Sequence, residues 1–393
     1  MPSKAMLKRP DPETPTAWIV ERAGASGRDL LRAFGLTPRQ RIDRILDRAG
    51  LAPARNWDST SAATGPALFL RADVFYDERL VDALLASGDV LLCRDTQNAG
   101  PGEVLAARAS SNLAAAADAV REDAASELPS LGPSDLVPDY NPKLRRFDPA
   151  YALDAKSEDL AETEKRIFAA SYKGITDFVT KYVFPTPARG VVRLLAAAGI
   201  GANAVTATSY VLAAAVIFLF ARGDFGLGLT LAWCMTFLDT VDGKLARVTL
   251  TSSRIGGFFD HALDLVHPPI WWWAFAVGLG LENAAVQWAM GGVVGGYLVG
   301  RILEGIFLAA FGMEIFTWRP FDAFFRGIVA RRNPNLLLLS LGCLAAASGF
   351  GYFAVALWTA LCILVVAVRI VQAAACRWRG IPIRPWYEED EAA

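Results

Sequence analysis

Phe237–Val266 reads FLDTVDGKLARVTLTSSRIGGFFDHALDLV, and four of its aspartates, Asp239, Asp242, Asp260 and Asp264, fall at the ends of two apolar stretches. Ionised carboxylates at membrane depth are costly and persist where they are paired, metal-bound or open to water. At about 100° per residue, Asp242 lies about −60° from Asp239, Gly243 about +40° and Ala246 about −20°. Those four positions share one helix face. On the next helix Asp264 follows Asp260 by one turn, and Gly256 precedes it by one. Two helices joined by a short turn then aim four carboxylates into one cleft. Gly243, Ala246 and Gly256 keep that cleft open for a close-lying ligand.

Around this stretch the chain divides into unlike halves. It has 393 residues with a mean hydropathy of +0.31. Residues 1 to about 165 are charged and proline-bearing, with no long apolar run. From about Asn203 to Cys376 come apolar stretches long enough to cross a hydrocarbon core of about 30 Å. The expected spans are 203–221, 226–248, 255–281, 284–311, 335–349 and 352–376. Lys244, Arg247 and Arg254, then Arg319, Arg326, Arg331 and Arg332, then Arg377, Arg379 and Arg384 lie on one side, against Arg222 on the other. The positive-inside rule then makes both termini and the carboxylate cleft cytoplasmic. Just before the first span, ITDFVTKYVFPTPARGVVRLLAAAG mixes apolar residues with Lys181, Arg189 and Arg193. It reads either as a helix lying in the membrane interface or as an ordinary surface helix.

The N-terminal half alternates strand and helix patterns. TAWIVE, PALFLRADVF and DVLLCRD read as strands. PRQRIDRILDRAGL, DERLVDALLAS and SNLAAAADAVRED read as helices, the first with Ile42, Ile45 and Leu46 on one face. A small α/β domain with a mostly parallel sheet is expected at 1–140. A proline-rich linker follows at 141–165, then a membrane domain at 166–380 and an acidic tail at 381–393. The fold class is thus a polytopic α-helical membrane domain of six transmembrane helices plus an interfacial helix, preceded by a cytoplasmic α/β domain.

A net charge of −1 and pI of about 6.2 give no reason to expect a nucleic-acid partner. The five cysteines show no C-x-x-C pairing and argue against a zinc site or disulfide framework. The N-terminus has basic residues but no apolar core after them, so no signal peptide is expected. Four converging carboxylates need cations, and Mg²⁺ or Mn²⁺ prefers oxygen ligands of this kind. Two such ions together suit displacement at a phosphate.

From Asp239 to Asp264 the string is D-x-x-D-G-x-x-A-R-x8-G-x3-D-x3-D. It resembles the signature of the CDP-alcohol phosphatidyltransferase family, over about residues 165–380. The resemblance implies a CDP-linked donor, with CDP-diacylglycerol favoured, attack by an alcohol or phospho-alcohol hydroxyl, and release of CMP. It also implies a homodimer in the membrane. Asp239, Asp242 and Asp260 would bind two metal ions, with Asp264 completing the site as general base. Asp260 and Asp264 are thus the candidate catalytic pair. Gly243, Ala246, Arg247 and Gly256 would contact the cytidine diphosphate. GIGANAVT resembles the family's segment entering the first span, with Gly201 and Ala202 in place of Thr-Pro, and adds Asn203 and Thr206 as donor contacts. A cation transporter with an intramembrane carboxylate site is the reading from another class.

Arg301 and Glu304 could hold an acceptor's phosphate or form a structural ion pair. Arg319 is a second acceptor candidate. His261 reads as packing, and the run Trp271–Trp273 as lipid-facing or interfacial packing. Pro268 and Pro269 interrupt the third span. In the N-terminal half, FLRADVFYDERLVDALL resembles the strand–Asp–helix segment of sugar-phosphate nucleotidyltransferases, in which the residue matching Asp73 binds metal. ERAGASGRDLLRAF keeps glycines but not that family's A-A-G-x-G-x-R loop. The domain therefore reads as a degenerate relative, as in bifunctional inositol-phosphate cytidylyltransferase/phosphotransferase proteins. A bifunctional enzyme that also forms the CDP-alcohol from CTP is the alternative.

Overall fold

The computed structural model describes residues 14–22, 31–58, 65–94, 102–124, 126–155, 160–252 and 254–387, and for 254–263 the backbone alone. The chain forms two compact units. One is residues 1–172 with 247–251, and the other 173–246 with 252–393.

The first unit is an α/β domain. Its strands are β1 (Thr16–Val20), β2 (Arg55–Asn56), β3 (Ala67–Arg71), β4 (Val74–Tyr76), β5 (Val90–Cys93), β6 (Val104–Ala109) and β7 (Ser130–Leu131). Its helices are α1 (Pro38–Arg48), α2 (Glu78–Ala86), α3 (Leu113–Glu122), the single turn α4 (Pro133–Leu136) and α5 (Leu160–Ala169). Thr37 and Gln40 close a capping box at the start of α1, and Ile42, Ile45 and Leu46 are its buried face. The central sheet runs β2-β1-β3-β6-β5-β7. It is mixed: β6 is antiparallel to both β3 and β5, and the other pairs are parallel. Three of the five pairs are parallel, as expected of a mostly parallel sheet, and β6 is the exception because of the short β5–β6 connection. Too few residues lie between these strands for a helical crossover, so they pair as a hairpin.

The proline-rich stretch after α4 carries short strand pairs. β8 (Tyr140–Asn141) pairs with β9 (Arg146–Phe147), and β10 (Ala152–Asp154) with β4.

Arginines stand at or just past the ends of three sheet strands. Arg71 closes β3 and forks onto Asp73, with Nε and Nη2 each 2.9 Å from a carboxylate oxygen. Glu103, just before β6, accepts from Arg22, Arg71 and Arg94. Partial burial pushes the Glu103 carboxyl up, but Arg71 and Arg94 outweigh it and hold it below the ordinary glutamate value. A depressed folded pKa adds stability above the unfolded value, and that stability is lost as pH falls. Glu103→Gln is therefore expected to lower the Tm of the full chain at pH 7. The gap to wild type should close as pH drops below about 4.3, the ordinary glutamate value. A gap that does not change with pH would show that the glutamate's charge is not what stabilises this corner.

The second unit is helical. It contains α6 (Pro185–Ala197), α7 (Ala202–Ala221), α8 (Phe225–Val248) and α9 (Arg254–Leu279). Next come α10 (Ala284–Met290) and α11 (Gly296–Phe311), joined through a π-helical turn at Gly291–Gly295. The last are α12 (Pro320–Phe325), α13 (Arg332–Leu344) and α14 (Ser348–Trp378). Among the described residues, three helices are long and apolar enough to cross a membrane: Ala202–Ala221, Ala284–Phe311 and Ser348–Trp378. α8 and α9 are long enough but carry charged residues. α13 has 13 residues, or about 20 Å at 1.5 Å per residue, which is short of a hydrocarbon core. Ahead of and within α6, Phe178, Tyr182, Val183 and Leu194 are exposed among Lys181, Arg189 and Arg193.

α7 packs on α9, and α11 and α13 pack on α14. Gly342 and Gly351 let α13 and α14 approach closely, since a Cβ on Gly342 would sit 2.6 Å from the Gly351 Cα. Trp271 and Trp272 are fully buried with Phe220, Phe275 and Tyr352, while Trp273 is half exposed. The lipid-facing expectation therefore fails for two of the three. Trp271 also donates from Nε1 to the Ala213 carbonyl at 3.1 Å, a partner that lipid could not supply.

Candidate active site

Asp239 and Asp242 project from the C-terminal half of α8, one turn apart, and Asp264 from α9. One guanidinium joins two of them. Arg332, at the first position of α13, donates from Nη2 to Asp239 Oδ2 at 2.7 Å and from Nη1 to Asp264 Oδ1 at 2.8 Å. Asp242 is buried, and its Oδ2 accepts from Thr206 Oγ1 of α7 at 2.6 Å. Four helices, α7, α8, α9 and α13, thus bring Asp239, Asp242, Asp264, Thr206 and Arg332 together.

The remaining expected residues divide. Gly243 and Ala246 are half-buried on α8 near the two aspartates in sequence. Asn203 is exposed, one turn before Thr206. Arg247 groups with the first unit. The side chains of Asp260 and His261, and the surroundings of Gly256, lie outside the described residues. Arg319 sits over the Trp318 ring at 5.0 Å and is not among the residues lining the cavity described below.

Sequence reasoning missed Arg332, which it counted only among the basic loop residues. Asp264 and Arg332 are 68 positions apart, and no local pattern joins them.

Beside Asp264 is a cavity of about 150 Å³ lined by Asp177, Asp264, Leu265, Pro268, Tyr297, Arg301, Arg326, Arg331, Arg332 and Asn333. Four arginines therefore face two aspartates. Glu304 accepts from Arg301, and from Arg331 Nη2 at 2.6 Å, so the expected ion pair is a three-residue bridge at the cavity wall. Asn333 Nδ2 donates to Asp177 Oδ1 at 2.8 Å. Arg326 is different. Its Nη1 is buried without a hydrogen-bond partner among the described residues, and its guanidinium lies 5.8 Å from the Phe316 ring. Burial, and then the neighbouring Arg331, hold Arg326 below the ordinary arginine value. The lining thus carries four guanidinium groups and two carboxylates, with Glu304 and Asp239 bonded to three of the arginines from outside it.

Residues 200–316 match the family model of the CDP-alcohol phosphatidyltransferases. The chain carries a CDP-alcohol phosphatidyltransferase domain. That match supports a phosphatidyltransferase activity for a membrane-type domain over those residues. The match takes in α7, α8, α9 and α11 with all four aspartates, and leaves residues 1–199 outside it. Among solved structures, Mycobacterium tuberculosis phosphatidylinositol phosphate synthase with CDP-DAG bound is similar at 16% identity. The similarity covers 46% of this chain and 92% of that one, at a TM-score of 0.38. No curated protein matches the chain.

The donor set suits a divalent cation. Asp239 and Asp264 already converge on one positive charge, which makes them a pair oriented toward a common cation. Their oxygens, with that of Asp242, are the hard ligands that Mg²⁺ and Mn²⁺ prefer. Among the described residues no three acidic, histidine or cysteine side chains form a closed metal-binding group, and the fourth aspartate of the motif lies outside them.

Proposed function

We propose that the transferase domain moves a phosphatidyl group from CDP-diacylglycerol to the hydroxyl of a phosphate-bearing alcohol, releasing CMP at the cytoplasmic face of a six-helix membrane domain. The observation that carries the acceptor class is the four-arginine cavity beside Asp264. Its four guanidinium groups, one of them Arg326 with a buried nitrogen that has no hydrogen-bond partner among the described residues, match a doubly charged phosphate better than a neutral alcohol.

In this reading Asp239, Asp242 and Asp260 hold two Mg²⁺ or Mn²⁺ ions, with Asp264 completing the set. Bound there, the ions would neutralise the donor's diphosphate and the charge developing on CMP. The chain's own residues do the rest. Asp264 takes the proton of the acceptor hydroxyl. The acceptor oxygen bonds to the phosphorus that bears the diacylglycerol. The bond from that phosphorus to the CMP oxygen breaks, and CMP leaves with the electron pair. Thr206 fixes the carboxylate of Asp242 by its 2.6 Å hydrogen bond. Gly243, Ala246, Gly256 and Asn203 of the second unit are the proposed contacts of the cytidine diphosphate.

The test is CMP release by purified protein in detergent with CDP-diacylglycerol, Mg²⁺ or Mn²⁺, and paired alcohols with and without a phosphate. Release is expected with a phosphorylated acceptor and is expected to stop on chelation. Arg326→Ala is expected to raise the acceptor KM about tenfold to a hundredfold, as for a lost charged hydrogen bond of about 1.5–3 kcal/mol. Equal turnover of the neutral alcohol would overturn the acceptor class.

A further inference from the structure

Pro268 and Pro269 stand side by side inside α9. In a helix the N–H of residue i donates to the carbonyl of residue i−4, and proline has no N–H. The carbonyls of Asp264 and Leu265 are therefore the two that lose their helical donors. Both are met from another helix. The hydroxyl of Tyr297, on α11, lies 3.3 Å from the Asp264 carbonyl oxygen and 3.2 Å from that of Leu265. A phenol has one O–H to donate, and here it is shared between the two acceptors. The Tyr297 ring is buried, with the Arg301 guanidinium 5.6 Å from its centre. Asp264, Leu265, Pro268 and Tyr297 all line the same cavity.

In a membrane-type helix, freed backbone carbonyls must be satisfied from within the protein. The helical turn that carries the Asp264 carboxylate has thus exchanged two of its own hydrogen bonds for one donor on α11.

We propose that Tyr297 is a positioning residue for the transfer reaction. By bonding the carbonyls released by the proline pair, it fixes the backbone of Asp264 and so the aim of its carboxylate at the attacking hydroxyl. This rests on the reading of Asp264 as the base. A turn freed of its own ladder is free to shift, and its position is set by whichever helix supplies the donor. Acceptor binding in the cavity and the aim of the base then depend on the same α11 segment, through Arg301 and Tyr297.

The experiment is a double-mutant cycle. Tyr297→Phe removes the hydroxyl and keeps the ring, and Pro268→Ala with Pro269→Ala restores both N–H donors. In the native background Tyr297→Phe is expected to lower kcat for CMP release about tenfold, the effect of one net hydrogen bond. KM values should move by less than about twofold. In the Pro→Ala background the same replacement is expected to change kcat by less than about twofold, because the helix then supplies the donors itself. An equal loss of kcat in both backgrounds overturns the proposal. So does a raised acceptor KM with unchanged kcat, which would mean that the hydroxyl touches the acceptor.

Melting temperatures of the same four proteins in detergent read the carbonyl contact without turnover. The Tm loss from Tyr297→Phe should shrink when the prolines are replaced, and additive losses overturn the contact. If wild type releases no CMP with any donor, the functional reading fails, and the Tm cycle still decides whether Tyr297 holds this turn.

Discussion

Asp264→Asn is expected to lower kcat for CMP release by about 10³-fold, the scale on which a positioned general base contributes. The Tm should hardly change, because an asparagine Oδ1 can still accept from Arg332 Nη1. Arg332→Ala should behave differently. It leaves Asp239, whose side chain is 11% exposed, without its cation, and removing one partner of a buried pair costs about 3–5 kcal/mol. Asp264 is 43% exposed and adds less. The variant is expected to melt well below wild type without added metal. Mg²⁺ or Mn²⁺ should raise its Tm by more than that of wild type, because the freed carboxylates gain a cation they lack. Arg332→Lys should not restore it, since one ammonium cannot match the two-pronged geometry that joins Asp239 to Asp264. Thermal melting over a metal titration, alongside CMP release, checks both. Full turnover in Asp264→Asn, or an Arg332→Ala variant blind to metal, would remove this account of the site.

What the sequence reveals here depends on how local the cause is. Apolar runs of membrane length are a local property, and the helices of the second unit begin and end within a few residues of the expected spans. α13 is the exception, because its apolar run continues beyond Leu344, where the helix ends before Ala346 adopts positive φ. The convergence of Asp239 and Asp242 follows from 3.6 residues per turn alone. Their pairing with Arg332 does not, for it depends on α13 returning beside α8 and α9. Tyr297 was invisible for the same reason. The proline pair was plain in the sequence, but the donor that compensates for it sits on another helix. In the first unit the periodicity of α1 was legible to the residue. The direction of β6 was not, because strand polarity is set by the connection and not by the strand's own pattern.

Asp73 poses the sharpest test of the N-terminal unit. A metal ligand should have an oxygen to offer, yet both carboxylate oxygens of Asp73 accept from Arg71 at 2.9 Å. The two side chains are 5% and 3% exposed. The Arg71 main-chain N–H also donates to the Tyr76 hydroxyl at 3.0 Å, and that hydroxyl donates to the Leu105 carbonyl at 2.5 Å. This network joins the end of β3 to β4 and β6. Asp73→Ala leaves a buried guanidinium with Glu103 as its remaining ion-pair partner at hydrogen-bonding distance, and is expected to destabilise the unit by about 3–5 kcal/mol. Arg71→Met with Asp73→Leu should recover most of that loss, since replacing both charges by apolar groups of similar volume removes the unmet charge. Glu103 would keep Arg22 and Arg94. Denaturant unfolding of the full chain measures both variants. CTP consumption by the same proteins supplies the contrast, because a catalytic Asp73 would lose turnover at unchanged stability. A double variant as unstable as Asp73→Ala would show that the pair's hydrogen bonds, and not the compensation of its charges, hold this corner of the sheet.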